Sequence, residues 1–72
     1  MNNSMKNLEP HQYRVLNERA ELRDKLEKLL AFINSPAFSN VELAEQKRLR
    51  HQADCMGEYL NILNERVAAI DA

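Results

Sequence analysis

The feature that most constrains this chain is an apolar stripe between Leu49 and Ile70. If the segment is an α-helix, an apolar residue recurs alternately at every fourth and every third position, without a gap. That spacing is a heptad seam, a straight apolar stripe along one helix face. Such a stripe needs another surface to cover it, so we expect the rest of the chain to supply one. The seam consists of Leu49, Ala53, Met56, Leu60, Leu63, Val67 and Ile70.

The preceding segment predicts a helix from about Pro10 to Asn34. Pro10 suits a first helical turn, where its missing N–H costs nothing. Pro36 ends this helix, because the residue before a proline is disfavoured in the α conformation. The predicted helix carries its own apolar face, formed by Val15, Leu22, Leu26, Leu29 and Ile33.

The second helix is predicted to run from about Asn40 to Ile70, after a loop at residues 35–39. Ser39 and Glu42 have the spacing of a capping box, and Phe38 with Leu43 that of a hydrophobic staple. A connection this short makes the two helices antiparallel neighbours. The predicted organisation is a disordered N-terminal tail at residues 1–8 and a helical hairpin at residues 9–72.

A second stripe beside the seam shows that a single hairpin is not sufficient to bury the apolar surface of the second helix. Together the two stripes cover about half of the helix, which is more than one partner helix buries. A chain of 72 residues with one cysteine also lacks an internal disulfide, and oligomerisation is the remaining way to stabilise so small a domain. The predicted fold is therefore all-α, an antiparallel helical hairpin that assembles into a homo-oligomeric helical bundle. The second stripe has six positions, which are the apolar Cys55, Tyr59, Ile62 and Ala69 and the two polar residues that interrupt them, Gln52 and Arg66.

Composition excludes several classes of function. A net charge of −1 disfavours a DNA- or RNA-binding protein, and no apolar run approaches the length of about 20 residues that a membrane span needs. No signal peptide is evident, and the lone Cys55, expected to be a small buried hydrophobe, suits a reducing compartment. We therefore expect a protein of the cytosol. The sequence contains no catalytic motif, no metal-ligand spacing and no cofactor fingerprint, so we expect no enzyme, no metal and no cofactor.

Arginines and tyrosines near the apolar faces are the candidate ligand-binding residues. Arginine forks fit phosphates bidentately, and aromatic rings stack on bases. In an antiparallel hairpin the start of the first helix lies beside the end of the second, which would bring several of these residues to one end. The alternative is that Arg19 pairs with Glu65 or a neighbouring carboxylate and that the tyrosines cap the core. The candidates are Tyr13, Arg14, Arg19, Lys28, Tyr59, Asn64 and Arg66.

The pattern of these residues also resembles a known group. The chain is similar to small phage and prophage "crAss-related" hypothetical proteins. The residues that carry this likeness are the runs Tyr13-Arg14-Val15, Glu21-Leu22-Arg23-Asp24-Lys25-Leu26-Glu27-Lys28-Leu29 and Ala31-Phe32-Ile33, followed by Phe38, Glu45-Gln46, Leu49, Gln52, Met56, Tyr59, Leu63 and Arg66-Val67. The likeness covers about residues 11–70. In size and form the chain is also similar to phage helical-hairpin proteins of the anti-CBASS and anti-Thoeris kind, which oligomerise and sequester cyclic nucleotides.

This resemblance implies a phage anti-defence protein. It would bind and sequester a cyclic nucleotide immune signal of the CBASS or Thoeris type, in pockets between protomers and without catalysis. The alternative is a small phage helical adaptor or inhibitor that binds a host or phage protein through its exposed helix face. A third hypothesis is a structural or regulatory protein whose only partner is itself.

Overall fold

The computed structural model describes residues 8–70 and consists, within them, of two long helices and no strand. Helix α1 spans Pro10–Ile33 and helix α2 spans Leu43–Ile70, with a short 3₁₀ turn at Pro36–Asn40 between them. The first turns of α1 lie beside the last turns of α2, so the helices are antiparallel. The all-α hairpin prediction is confirmed. The predicted disordered tail lies outside the described residues except for Leu8, which is half-buried.

The seam of α2 is the inner surface of this hairpin. All seven seam residues are buried or half-buried, and Leu63 is 0% exposed. The predicted apolar face of α1 is covered in the same way, with Val15 and Leu26 buried. The heptad spacing therefore identified the faces that the two helices bury against each other.

The start of α2 differs from the prediction. The helix begins at Leu43 rather than about Asn40, because the chain first forms the 3₁₀ turn. The Ser39 hydroxyl does not cap α2; it donates a hydrogen bond to the Pro36 carbonyl oxygen at 2.8 Å. Leu43, predicted as a staple residue, is 72% exposed. The predicted capping box and staple are therefore wrong.

Phe38 joins the 3₁₀ turn to both helices. Its buried ring meets the Phe32 ring edge-on, with centroids 5.7 Å apart, and the Arg50 guanidinium carbon lies 5.0 Å from its centroid. The Gln46 side-chain amide donates to the carbonyl oxygens of Phe38 at 3.1 Å and Val41 at 2.8 Å. The turn thus covers the first part of α2, which extends past the end of α1.

The hairpin is long and thin. Its dimensions are 52 × 17 × 17 Å, and its radius of gyration is 16.2 Å, against about 11 Å for a compact domain of this length. Much of its apolar surface is consequently uncovered. Cys55, predicted to be buried, is exposed, because it lies on the second stripe rather than on the seam. In the described part of the chain, neither helix is long and apolar enough to cross a membrane.

Candidate binding cleft at the open end of the hairpin

A cleft of about 280 Å³ lies between the first turns of α1 and the last turns of α2, at the end of the hairpin opposite the 3₁₀ turn. We call it the open-end cleft. The two helices contribute equally to it, because their antiparallel packing brings residues far apart in sequence to the same level. It is lined by His11, Gln12, Val15, Arg66, Ala69 and Ile70.

The local sequence fixes the α1 side of the cleft. Pro10 occupies the first helical position, and the backbone N–H groups of Gln12 and Tyr13 donate to the Glu9 carbonyl oxygen at 2.9 and 3.2 Å. The Glu9 backbone N–H in turn donates to Gln12 Oε1 at 2.8 Å. These bonds hold the start of the helix and orient the Gln12 amide. Among residues 8–70, neither amide hydrogen of Gln12 has a hydrogen-bond partner, so both can contact a ligand.

The polar side chains of the open-end cleft suit an anion. Arg66 is exposed and makes no ion pair within residues 8–70, so its guanidinium is available for bidentate hydrogen bonds. His11 and the Gln12 amide add donors beside it. None of the described lining residues carries a carboxylate side chain. Val15 and Ile70 supply an apolar floor against which a base or ribose could pack.

Only some of the predicted ligand-binding residues lie at this end. Arg66 lines the cleft, and Tyr13 and Arg14 follow Gln12 directly, although neither side chain lines it. Arg19 and Asn64 are half-buried farther along the hairpin. Arg19 makes no ion pair with Glu65, so that alternative is absent from the described residues.

Lys28 and Tyr59 lie away from the cleft. The Lys28 ammonium nitrogen pairs with Asp24 Oδ2 at 3.1 Å in solvent, and Lys28 is about 25 Å along α1 from His11. Tyr59 is about 10 Å along α2 from Arg66. The seven predicted residues therefore do not form one site within a single protomer.

His11 and Gln12 are the cleft residues that the sequence analysis missed. His11 belongs to no metal-binding or catalytic motif in the sequence. The position of His11 in the chain could have indicated that it lies at the open end, since a residue in the first turn of one helix of a hairpin must lie near the last turn of the other. The exact partner across the hairpin depends on the length of the turn, which spacing within either helix does not give.

A second depression, of about 590 Å³, lies midway along the hairpin beside Gly57. Its floor is apolar, but Asp54 and Glu58 line it, and their charges oppose a phosphate. A methyl group added at Gly57 would meet nothing within 4 Å. Within residues 8–70, no group of three His, Cys, Asp or Glu side chains could hold a metal ion.

The fold is that of a small helical hairpin, with a cleft where the ends of its two helices meet. The Sequestin family model matches residues 9–69, nearly the whole chain, so the chain belongs to the Sequestin family. The resemblance to the crAss-related group is not confirmed by this match. No curated protein and no solved structure matches the chain.

Proposed function

We propose that this protein sequesters a cyclic nucleotide immune signal of the CBASS or Thoeris type, and that it does so by binding without catalysis. The ligand would occupy pockets formed between protomers of a homo-oligomer. Tight capture lowers the free concentration of the signal, so no turnover is needed. The protein would act in the cytosol of the host cell, where such signals are made.

Membership of the Sequestin family carries this proposal, because the family name suggests sequestration of a ligand. The open-end cleft supports the choice of an anionic ligand. Arg66 would neutralise a phosphate, while His11 and Gln12 would donate to phosphate or base atoms. Tyr13 and Arg14 lie next to Gln12 in the chain and are close enough to contact a ligand that extends out of the cleft.

The proposal is tested with a panel of cyclic dinucleotides, cyclic trinucleotides and cyclic ADP-ribose isomers. A ligand that binds only the folded state stabilises it by about 2.7 kcal/mol at 100 times its Kd. For a domain of this size that raises Tm by roughly 10–20 °C. The bound nucleotide should then be recovered intact after denaturation. An unchanged Tm with every compound would refute the proposal, and recovery of a cleaved nucleotide would refute binding without catalysis.

The location of the site is tested by Arg66→Ala. Loss of hydrogen bonds from a charged donor costs about 1.5–3 kcal/mol, so the nucleotide should bind about 10- to 100-fold more weakly in titration calorimetry. Lys47→Ala is the matched control, because it removes one exposed cation about 28 Å away along the same helix. Equal affinities for the two variants would place the ligand outside the open-end cleft.

The exposed second stripe favours one other function, that of an adaptor or inhibitor which binds a host or phage protein. Tyr59 and Ile62 are 40% and 53% exposed, and helices that present such residues commonly fill grooves on other proteins. A host protein recovered in stoichiometric amounts with the purified chain, together with no nucleotide effect on Tm, would favour this function.

A further inference from the structure

The second stripe of α2 has the same heptad spacing as the seam, but it is interrupted by Gln52 and Arg66 and is not covered within the hairpin. Its six residues are spaced alternately by three and four positions, as in a heptad repeat. Every seam residue is buried or half-buried, whereas all six residues of the second stripe are exposed. A helix with two adjacent heptad stripes is typical of a bundle of more than two helices. The hairpin supplies only one of the neighbours that α2 can accept.

The shape of the hairpin leaves room for a further helix on the second stripe. The hairpin is 52 Å long and 17 Å thick, and Tyr59 and Ile62 at the centre of the stripe are 40% and 53% exposed. A second hairpin of the same length can therefore run along the stripe.

We propose that a second copy of this chain packs on the second stripe, with the two α2 helices antiparallel and related by a two-fold axis. The centre of the stripe is apolar, and its midpoint falls between Tyr59 and Ile62. A two-fold axis at this point places Tyr59 of each copy against Ile62 of the other. A contact of this kind is self-complementary, so it produces a closed dimer to which no third chain can be added through the same surface.

The charges on the stripe favour the antiparallel arrangement. In a parallel, in-register pair the two copies of Arg66 would face each other, and directly opposed like charges destabilise a helix pair. In the antiparallel pair Arg66 faces Cys55 of the second copy, and Ala69 faces Gln52. The net charge of −1 per chain adds little repulsion between copies.

The proposed dimer would also complete the open-end cleft. Arg66 and Ala69 belong both to the second stripe and to the cleft lining. The second copy would therefore lie along the α2 side of the cleft, with its Gln52 and Cys55 beside Arg66. A dimer would have two such sites, one at each end. This consequence rests on the proposed function for the identity of the ligand, whereas the dimer itself does not.

The direction of packing is tested by disulfide cross-linking of the full chain. Two variants are made, both with Cys55→Ala: one carries Gln52→Cys and the other Ala69→Cys. Under mild oxidation the antiparallel pair predicts a cross-linked heterodimer when the variants are mixed, and little cross-linking in either variant alone. Homodimers from each variant alone, or no cross-linked product at all, would overturn the proposal.

The surface is tested independently by Ile62→Glu in sedimentation equilibrium without nucleotide. The wild-type chain should have twice its 8.4 kDa mass, and the variant should associate at least 100-fold more weakly. Leu43→Glu is the matched control, because it introduces the same charge at an apolar position that is more exposed but lies off the stripe. Circular dichroism checks that both variants remain helical. Equal dimerisation of the two variants would overturn the proposal.

The nucleotide panel, repeated on the Ile62→Glu variant, separates this inference from the proposed function. A wild-type dimer that responds to no nucleotide would leave the interface standing and refute sequestration. A monomeric variant that shows the full wild-type shift in Tm would refute completion of the cleft by the second copy and leave sequestration standing.

Discussion

The two ends of the hairpin use similar residue types for opposite purposes. At the turn end, the Arg50 guanidinium lies over the Phe38 ring, and the Gln46 amide is bonded to two carbonyl oxygens. At the open end, Arg66 makes no ion pair among the described residues, and the Gln12 amide hydrogens have no partner there. The same side-chain groups are internally satisfied at one end and available to a ligand at the other.

This difference indicates at which end of the hairpin a binding site would cost little stability. A hairpin needs a rigid turn to hold its helices in register, so the polar groups near Phe38 are bonded within the protomer. The open end has no such requirement, because the helices are already aligned by the seam. Polar groups placed there can remain unpaired in solvent at little cost in stability, so this end can carry a binding site without weakening the hairpin.

The largest expected effect is the loss of the buried ring at the turn end. Phe38→Ala should destabilise the protein by about 3–5 kcal/mol, because it removes the ring between Phe32 and Arg50 and leaves a cavity. Thermal unfolding followed by circular dichroism measures the change. A loss of under about 1 kcal/mol would mean that the turn end is not rigidly packed.

Gln46→Ala should have the next largest effect. It removes two hydrogen bonds to backbone carbonyl groups, and each such bond is worth about 0.5–1.5 kcal/mol. Gln12→Ala removes one exposed bond at the open end and should cost less. Urea unfolding of the two variants compares the ends directly. Equal losses of stability would contradict the contrast between them.

Gly57→Ala tests the middle of the hairpin. It should stabilise α2 by about 1 kcal/mol, because alanine is the better helix former and its methyl group meets no atom within 4 Å. Its dimer should be as stable as that of the wild type, since the second stripe excludes Gly57. A variant that gains stability but becomes monomeric would indicate that the dimer interface lies at the depression beside Gly57 rather than on the second stripe.

Arg66→Ala should have the smallest effect on stability. Its side chain is exposed in the single chain and makes no ion pair in residues 8–70, so the unfolding free energy of the monomer, measured at a concentration too low for dimerisation, should change by less than about 0.5 kcal/mol. The same substitution should weaken nucleotide binding, as proposed above. A large loss of stability would indicate that Arg66 has a structural role and that the open end is not reserved for a ligand.

The sequence predicted the helices and the buried faces well, because heptad spacing is a direct consequence of packing along a helix. It failed where two local signals compete. Ser39 and Glu42 have capping-box spacing, but Pro36 starts a 3₁₀ turn in which the Ser39 hydroxyl bonds to the Pro36 carbonyl oxygen instead. Cys55 was predicted to be buried because cysteine is usually a buried residue type, whereas its heptad position places it on the exposed second stripe.

The candidate site was predicted only in part for a similar reason. Arg66 stood out because it interrupts an apolar stripe, and that signal lies within one helix. The proximity of His11 and Gln12 to Arg66 depends on the offset between helices, which is fixed by the turn. Tyr59 and Lys28 were grouped with the cleft residues by chemistry, although Tyr59 lies about two helical turns from Arg66 and Lys28 almost five from His11.

Phe38 has a further consequence for how the hairpin forms and opens. Its contacts with Phe32, Gln46 and Arg50 join residues close together in sequence, whereas contacts at the open end close a loop of more than fifty residues. Because short loops close at lower entropic cost, folding should begin at the turn and proceed toward the helix ends. Amide hydrogen exchange should accordingly quicken from the turn to the open end. The proposed ligand would then bind the part of the hairpin that forms last and opens first, and its clearest signature would be slower exchange there.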